Sequence, residues 1–345
     1  MAKLIETDDD DKTGVSAASY EPVTTPGALR AALPLSSGGI STVRSARRTV
    51  RRIIDGTDDR LLVVVGPCSL HDNAASIEYS HRLLAAAQTY VADLQIVMRA
   101  YFEKPRTTVG WKGLINDPDL DGSHRIEKGL RLARSLLLSF CQDGLPVACE
   151  LLDTISPLYI HDCIAWGAIG ARTSESQLHR QMASGVAFPI GFKNGTTGDL
   201  QVAVDAMVAA AQPHSYLSVD DNGQASICRT QGNNSTHVIL RGGRTGPNYS
   251  QEHIRSVASQ MREAGLRPAI MVCSEVAEQV GSGDGAIMGV MIESFLEEGR
   301  QSINGWPLVY GQSVTDACVS WNDTVPMLSQ LAEAVRLRRL QRLQS

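Results

Sequence analysis

Leu94-Gln95-Ile96-Val97-Met98 runs directly into Arg99-Ala100-Tyr101-Phe102-Glu103-Lys104-Pro105-Arg106-Thr107-Thr108-Val109-Gly110-Trp111-Lys112-Gly113. The apolar half reads as a buried strand. At its end the chain turns basic, and Pro105 stops any helix. Cations at the mouth of a buried strand are costly unless they meet anions. This loop is therefore a candidate phosphate or carboxylate site. A solvated surface loop is the bland alternative, and recurrence of the pattern decides between them.

The pattern recurs. Short apolar runs stand at 61–65, 94–98, 147–152, 168–171, 188–192, 237–240, 269–272 and 286–292, eight in all. Helical patterns lie between most of them, as in 75–87, 126–141, 157–166 and 199–211. Strands alternating with helices pair in parallel, and eight such units suit a closed (β/α)8 TIM barrel of class α/β. A doubly wound open sheet competes, but no G-x-G-x-x-G follows the first strand. Residues 216–219 and 225–228, around Asp221-Asn222-Gly223, read as an inserted small β-hairpin. A last helix is expected from about Thr324, with late arginines suited to its C-terminus. Asp8-Asp9-Asp10-Asp11-Lys12 reads as a protease-cleavage scar, so residues 1–12 are taken as a tag. Residues 13–55 form an N-terminal extension ending in a basic helix, and 56–345 form the barrel. Arg44, Arg47, Arg48, Arg51 and Arg52 of that helix are expected on a solvated or subunit-contact face.

Composition narrows the function. The 345 residues carry a net charge of −5, which argues against bulk nucleic-acid binding and turns local basic residues toward small anions. Seven cysteines without a C-x-x-C pair fit a reducing cytoplasm better than a disulfide framework. No apolar run approaches the ~20 residues of a membrane span.

In such a barrel the active site lies where the strands end. Arg99, Lys104, Arg106, Arg172, Lys193 and Arg241 all fall at or just beyond strand ends. Six cations on one rim of an acidic protein imply a multiply charged ligand bearing phosphate. Cys68, Glu293 and Asp316 offer a thiolate and two carboxylates from separate strand ends, a set suited to Mn, Fe, Co or Zn. A strand-end cysteine that is simply small and buried is the competing reading.

G-P-C-S-L-H-D (66–72), the 99–113 loop, G-A-R-T-S-E-S-Q-L-H-R (170–180), G-F-K-N-G-T (191–196), H-V-I-L-R-G-G (237–243) and V-T-D-A-C-V-S-W (314–321) together resemble the type I 3-deoxy-D-arabino-heptulosonate 7-phosphate (DAHP) synthases. The likeness runs from about residue 20 to about 340. It implies a metal-dependent condensation of phosphoenolpyruvate with erythrose 4-phosphate, the first step of the shikimate pathway to aromatic amino acids. Arg172, with Ala171 beside it, Lys193 and Arg241 would hold phosphoenolpyruvate, with Arg99, Lys104 and Glu150 nearby as catalytic residues. Lys104, Pro105, Arg106 and Thr107 would meet the aldose phosphate, and Lys104 would donate a proton. Cys68, Glu293 and Asp316 match three of four metal ligands. A homodimer or homotetramer regulated by an aromatic amino acid is also implied. The K-P-R-T motif favours the erythrose enzyme over a sibling that uses arabinose 5-phosphate.

One region departs from the resemblance. The family carries a run Asp-Cys/Phe-Ser-His-Ala/Gly-Asn-Ser after the seventh strand, and its histidine is the fourth ligand. Here Cys273-Ser274-Glu275-Val276-Ala277-Glu278-Gln279 follows, and roughly twenty residues are missing by comparison. Only residues 274–285 separate strands seven and eight, near the lower limit for a parallel crossover. The seventh β/α unit is therefore expected to be truncated, with a short or absent helix. Three readings stay open: a weak or non-catalytic homologue that binds phosphorylated ligands or a partner subunit, replacement of the ligand by Glu275 or Cys273, or a truncated gene sequence.

Overall fold

The computed structural model describes residues 19–106, 109–273, 276–305 and 307–344. The tag expected at 1–12 and the first residues of the extension lie outside them.

Two helices lead, α1 (Pro26–Ala32) and α2 (Ser37–Ile54), with N-caps supplied by the Thr25 and Ser36 hydroxyls. Then come β1 (Leu61–Gly66), α3 (Asn73–Thr89), β2 (Leu94–Arg99), α4 (Ile126–Gln142), β3 (Val147–Glu150), β4 (Ile164–Ile169), α5 (Gln177–Gly185), β5 (Ile190–Lys193) and α6 (Gln201–Ala210). An antiparallel hairpin follows, β6 (Ser215–Val219) with β7 (Ala225–Arg229). The chain finishes with β8 (Thr236–Leu240), α7 (Gln251–Glu263), β9 (Ile270–Val272), α8 (Ala277–Gly281), β10 (Ile287–Glu293) and α9 (Trp321–Gln344). Strands β1-β10-β9-β8-β5-β4-β3-β2 close into one parallel barrel, and the hairpin stands apart as its own sheet. The (β/α)8 expectation and the hairpin insertion are both met.

Strand periodicity divides the apolar side chains between two cores. Leu61, Val63 and Val65 face the surrounding helices, whereas Leu62 and Val64 point into the barrel with Val97, Trp166, Ile239 and Met271. Inside, Trp166 Nε1 donates to His237 Nε2 at 2.9 Å. Burial pushes the His237 imidazole down to about 4, so it stays neutral and structural.

The basic helix meets its expectation in part, since Arg44, Arg48 and Arg52 are exposed. Val50, Ile53 and Ile54 of α2 join the interior core and close the mouth where the strands begin. Arg47 does not lie on a free face: its Nε donates to the Ile164 carbonyl at 2.8 Å and its guanidinium stacks 5.3 Å from the Phe188 ring. With that mouth stoppered by α2, the large cavity opens at the end where the strands finish.

A second correction concerns 157–166. Only a 3-10 turn, Ser156–Tyr159, forms there, and β4 begins at Ile164 rather than near 168. Too few residues separate Pro157 from the wholly buried run Ile164-Ala165-Trp166-Gly167-Ala168-Ile169 for a helix to develop. The seventh unit is short, as its spacing implied: α8 has five residues. Among the described residues, no helix is long and apolar enough to cross a membrane.

Ile53 tests the stopper. Its side chain is 3% exposed. Ile53→Ala is expected to destabilise the fold by about 2–5 kcal/mol, read from the urea midpoint. A loss no larger than that of an exposed alanine substitution would mean that α2 does not seal the barrel.

Candidate active site

The strand ends place the polar groups. Arg99, Glu150, Lys193 and Glu293 are the last residues of β2, β3, β5 and β10, and Arg241 follows β8 directly. Arg172 lies three residues beyond β4, and Cys68 two beyond β1. Asp316 is carried by the loop between β10 and α9. That loop is fastened by backbone bridges Ser294–Val319 and Gly299–Cys318, and by a 2.7 Å hydrogen bond between the Ser69 and Thr315 hydroxyls.

Arg99 organises one wall. Its side chain is 1% exposed, Nη2 donates to Glu293 Oε1 at 2.7 Å and Nη1 to the Cys68 carbonyl at 2.6 Å and to the Pro67 carbonyl. The Tyr101 ring lies 3.8 Å beneath the guanidinium. Burial is the largest influence and weakens this cation, but the Glu293 carboxylate together with the neighbouring Tyr101, Cys68 and Cys318 groups outweighs it, and its pKa rises. Glu293 answers in kind: burial pushes its carboxyl up, and Arg99, Lys104 and Lys193 outweigh that and hold it below the usual carboxylate range.

Lys104 sits in the same knot, 7% exposed. Its Nζ lies 2.9 Å from Cys68 Sγ, 3.1 Å from the Cys68 carbonyl and 3.8 Å from Asp316 Oδ2. Cys68 Sγ lies 3.3 Å from Asp316 Oδ2. For Asp316, burial raises the pKa, while the Cys68 hydrogen bond and the Lys104 and Arg106 charges lower it further than burial lifts it.

These groups surround one cavity of about 640 Å³. Arg99, Lys104, Pro105, Arg106, Glu150, Ala171, Arg172, Lys193, Arg241, Cys273, Glu293 and Asp316 line it. All six cations singled out in the sequence therefore meet. Thr107 and Glu275 lie outside the described residues.

The donor atoms of Cys68, Glu293 and Asp316 lie within 4.8 Å of one another. The Lys104 ammonium rests against two of them, so a cation already suits the position. A cysteine sulfur and two carboxylates, converging from the ends of β1 and β10 and from the loop before α9, fit a divalent metal. Among the described residues Cys273 does not join this donor group, although it borders the same cavity.

Some contributors went unassigned in the sequence. Asn194, fully buried, accepts from the Arg241 backbone N–H at 3.0 Å and donates to the Gly242 carbonyl at 3.0 Å. It latches the end of β5 to the end of β8 and so spaces Lys193 from Arg241. Thr173 and Thr196 also line the cavity. All three stand inside motifs quoted above, so proximity to a cation was the available signal. A Cβ at Gly170 would come within 2.4 Å of Glu150 Oε1, so a side chain there would push the Glu150 carboxylate from its place.

Residues 39–329 match the model of the "DAHP synthetase I family". The chain belongs to that family. It is 51% identical over 332 residues to "Phospho-2-dehydro-3-deoxyheptonate aldolase, Phe-sensitive" of Escherichia coli (strain K12), a match covering 91% of this chain and 95% of that protein. It is 48% identical over 345 residues to the "phenylalanine-inhibited" aldolase of Saccharomyces cerevisiae (strain ATCC 204508 / S288c), covering 93% of each. A solved structure of the same-named aldolase from Francisella tularensis SCHU S4 superposes with a TM-score of 0.91 at 49% identity, covering 93% of this chain and 98% of that one.

Family membership leaves one buried carboxyl without an assigned role. Glu103 precedes Lys104, is 7% exposed, and accepts from the Ser156 hydroxyl at 2.7 Å. Burial pushes its pKa up to about 7, against the Ser156 hydrogen bond, with the Asp153 charge adding to the rise. The folded chain thus holds this proton more tightly than the unfolded chain. Its charged form penalises the fold increasingly as pH rises from about 4.5 toward 7. Glu103→Gln should match the parent near pH 4.5 and be more stable at pH 8, by up to a few kcal/mol. Denaturant midpoints at the two pH values measure this, and a difference independent of pH would contradict it.

Proposed function

We propose that the chain condenses phosphoenolpyruvate with D-erythrose 4-phosphate, giving 3-deoxy-D-arabino-heptulosonate 7-phosphate and inorganic phosphate. The observation that carries this reading is the convergence of six cations on one cavity, beside the donor set of Cys68, Glu293 and Asp316. Arg172, Lys193 and Arg241 hold the phosphate and carboxylate of phosphoenolpyruvate through charge-assisted hydrogen bonds. Lys104, Pro105 and Arg106, with Thr107 beyond them, receive the aldose phosphate. Carbon C3 of phosphoenolpyruvate attacks the aldehyde, Lys104 delivers a proton to the forming alkoxide, and water adds at C2 before phosphate departs. Glu150 and Arg99 orient the reacting end. A divalent metal held by Cys68, Glu293 and Asp316 supplies polarisation of the aldehyde carbonyl when bound. Homo-oligomerisation, control by an aromatic amino acid and a cytoplasmic location belong to the same proposal.

A second reading has its own support. The match to the Escherichia coli relative spans 332 positions but takes in 91% of these 345 residues, about 314, so about 18 of its positions have no counterpart here. The five-residue α8 is where a shortened crossover would tell. A chain that retains the phosphate grip but holds metal poorly would be a binding homologue instead of a catalyst.

Turnover separates the two. Purified protein is supplied with both substrates and Mn(II), and phosphate release is followed with and without chelator. Release that chelator abolishes is the expected result. No release while phosphoenolpyruvate still binds would transfer the chain to the non-catalytic reading.

A further inference from the structure

Arginines also crowd the opposite mouth of the barrel, where the strands begin. A cavity of about 360 Å³ opens there between α7 and the turns that lead into β9 and β10. Arg255 and Arg262 stand seven residues apart on α7, and so on one face of it. Arg267 follows in the turn before β9, and all three line the cavity. Asp284 is the acidic residue of its wall, and Oδ1 of that carboxylate already accepts the Ala286 backbone N–H at 2.8 Å. Among the described residues, none of the three arginines is engaged in an ion pair.

A buried cation stands behind this cavity. A crevice of about 40 Å³ adjoins it and shares Arg267, Pro268 and Gly285 with it. Arg338 of α9 lines the crevice and is 3% exposed. Its Nη1 donates to the Ile287 carbonyl at 3.3 Å and its Nη2 to the Asp59 carbonyl at 2.5 Å, while Nε finds no acceptor among the described residues. The carboxylates beside it are engaged elsewhere, Asp58 by Arg60 and Asp59 by Arg339, each at 2.7 Å. Burial and the Arg342 and Arg339 charges lower the Arg338 pKa to about 10, against the pull of Asp59 and Asp284. A buried guanidinium short of counter-charge is costly, and a bound anion offsets that cost.

We propose that this cavity is a second anion site, which binds a small organic phosphate: Arg255, Arg262 and Arg267 hold the phosphate, and the organic part rests on Ile254, Ala258 and Ala286. Several guanidiniums favour a dianion over a single carboxylate. A volume of about 360 Å³ lies at the lower end of small-molecule pockets, so the ligand is metabolite-sized. Arg267 Nη1 also donates to the Ile54 carbonyl at the end of α2, so the ligand joins the stopper helix to α7. The proposal rests on no part of the function argued above.

The test uses phenyl phosphate, with inorganic phosphate as its comparison, in calorimetric titrations of the full-length protein. Phenyl phosphate also meets the cations of the substrate cavity, so the readout is the difference between the parent and a double variant, Arg255→Ser with Arg262→Ser, at two exposed positions of α7. The double variant should bind one molecule per chain fewer than the parent and keep the parent's affinity for phosphoenolpyruvate. Arg262→Glu serves as a second variant and should weaken binding of that molecule by about ten-fold or more. In the parent, phenyl phosphate should bind at α7 about ten-fold more tightly than inorganic phosphate, because its ring buries apolar area. Equal uptake of phenyl phosphate by the parent and both variants would overturn the proposal. So would equal affinity for phenyl phosphate and inorganic phosphate at α7, since the site would then take an adventitious ion only. Failure of the parent to bind phosphoenolpyruvate, with the α7-dependent molecule still bound, would overturn the substrate reading alone.

Discussion

The ion pair between buried Arg99 and half-buried Glu293 is the constraint on which the rest of the site depends. A guanidinium that is 1% exposed cannot stand without compensation, because an unpaired buried charge is strongly destabilising. Arg99 finds its partners on neighbouring strands: Glu293 ends β10, and the Pro67 and Cys68 carbonyls follow β1. Three adjacent strand ends are thereby held in one geometry. Cys68 and Glu293 come within metal-binding reach of Asp316 because Arg99 sets their spacing. Lys104 then closes on Cys68 from the loop that begins at Arg99.

The opposite wall is set by a neutral latch. Asn194 joins β5 to β8 and fixes the separation of Lys193 and Arg241, so the anion-binding cations are positioned by an amide that carries no charge. Arg106, Arg172 and Arg241 remain exposed toward the cavity, while Arg99 and Lys104 are buried. This division suits a site where exposed arginines capture a phosphorylated ligand and buried cations hold the reacting groups. Inside the barrel, neutral His237 against Trp166 adds no competing charge.

Much of this was legible in the sequence, for definite reasons. Strands buried on both faces write continuous apolar runs, and eight of them separated by helical patterns leave few architectures. Strand-end cations announce themselves by cost. What stayed hidden depended on tertiary partners. The apolar stripe of α2 gives no sign that it stoppers a barrel, and Arg47 on the same helix looks solvated until Phe188 and the Ile164 carbonyl arrive from more than a hundred residues away. Strand β4 starts earlier than its flanks suggest because Trp166 and Gly167 dilute the aliphatic signal. Asn194 and Glu103 are ordinary polar residues in sequence, and only burial makes one a latch and the other a high-pKa acid. The shortened seventh unit could be read from spacing alone, since twelve residues cannot carry a full helix and two turns across a strand.

The proposed function divides the site into two halves: six cations around the cavity for phosphate, and a metal position built from three described donors. The most direct measurement of the first half is a calorimetric titration of chelator-treated protein with phosphoenolpyruvate. Saturable binding of one molecule per chain, weakening as salt rises, is the predicted result, because the cations that hold this ligand need no metal to assemble. Failure of metal-free protein to bind phosphoenolpyruvate, with its fold intact, would contradict the account.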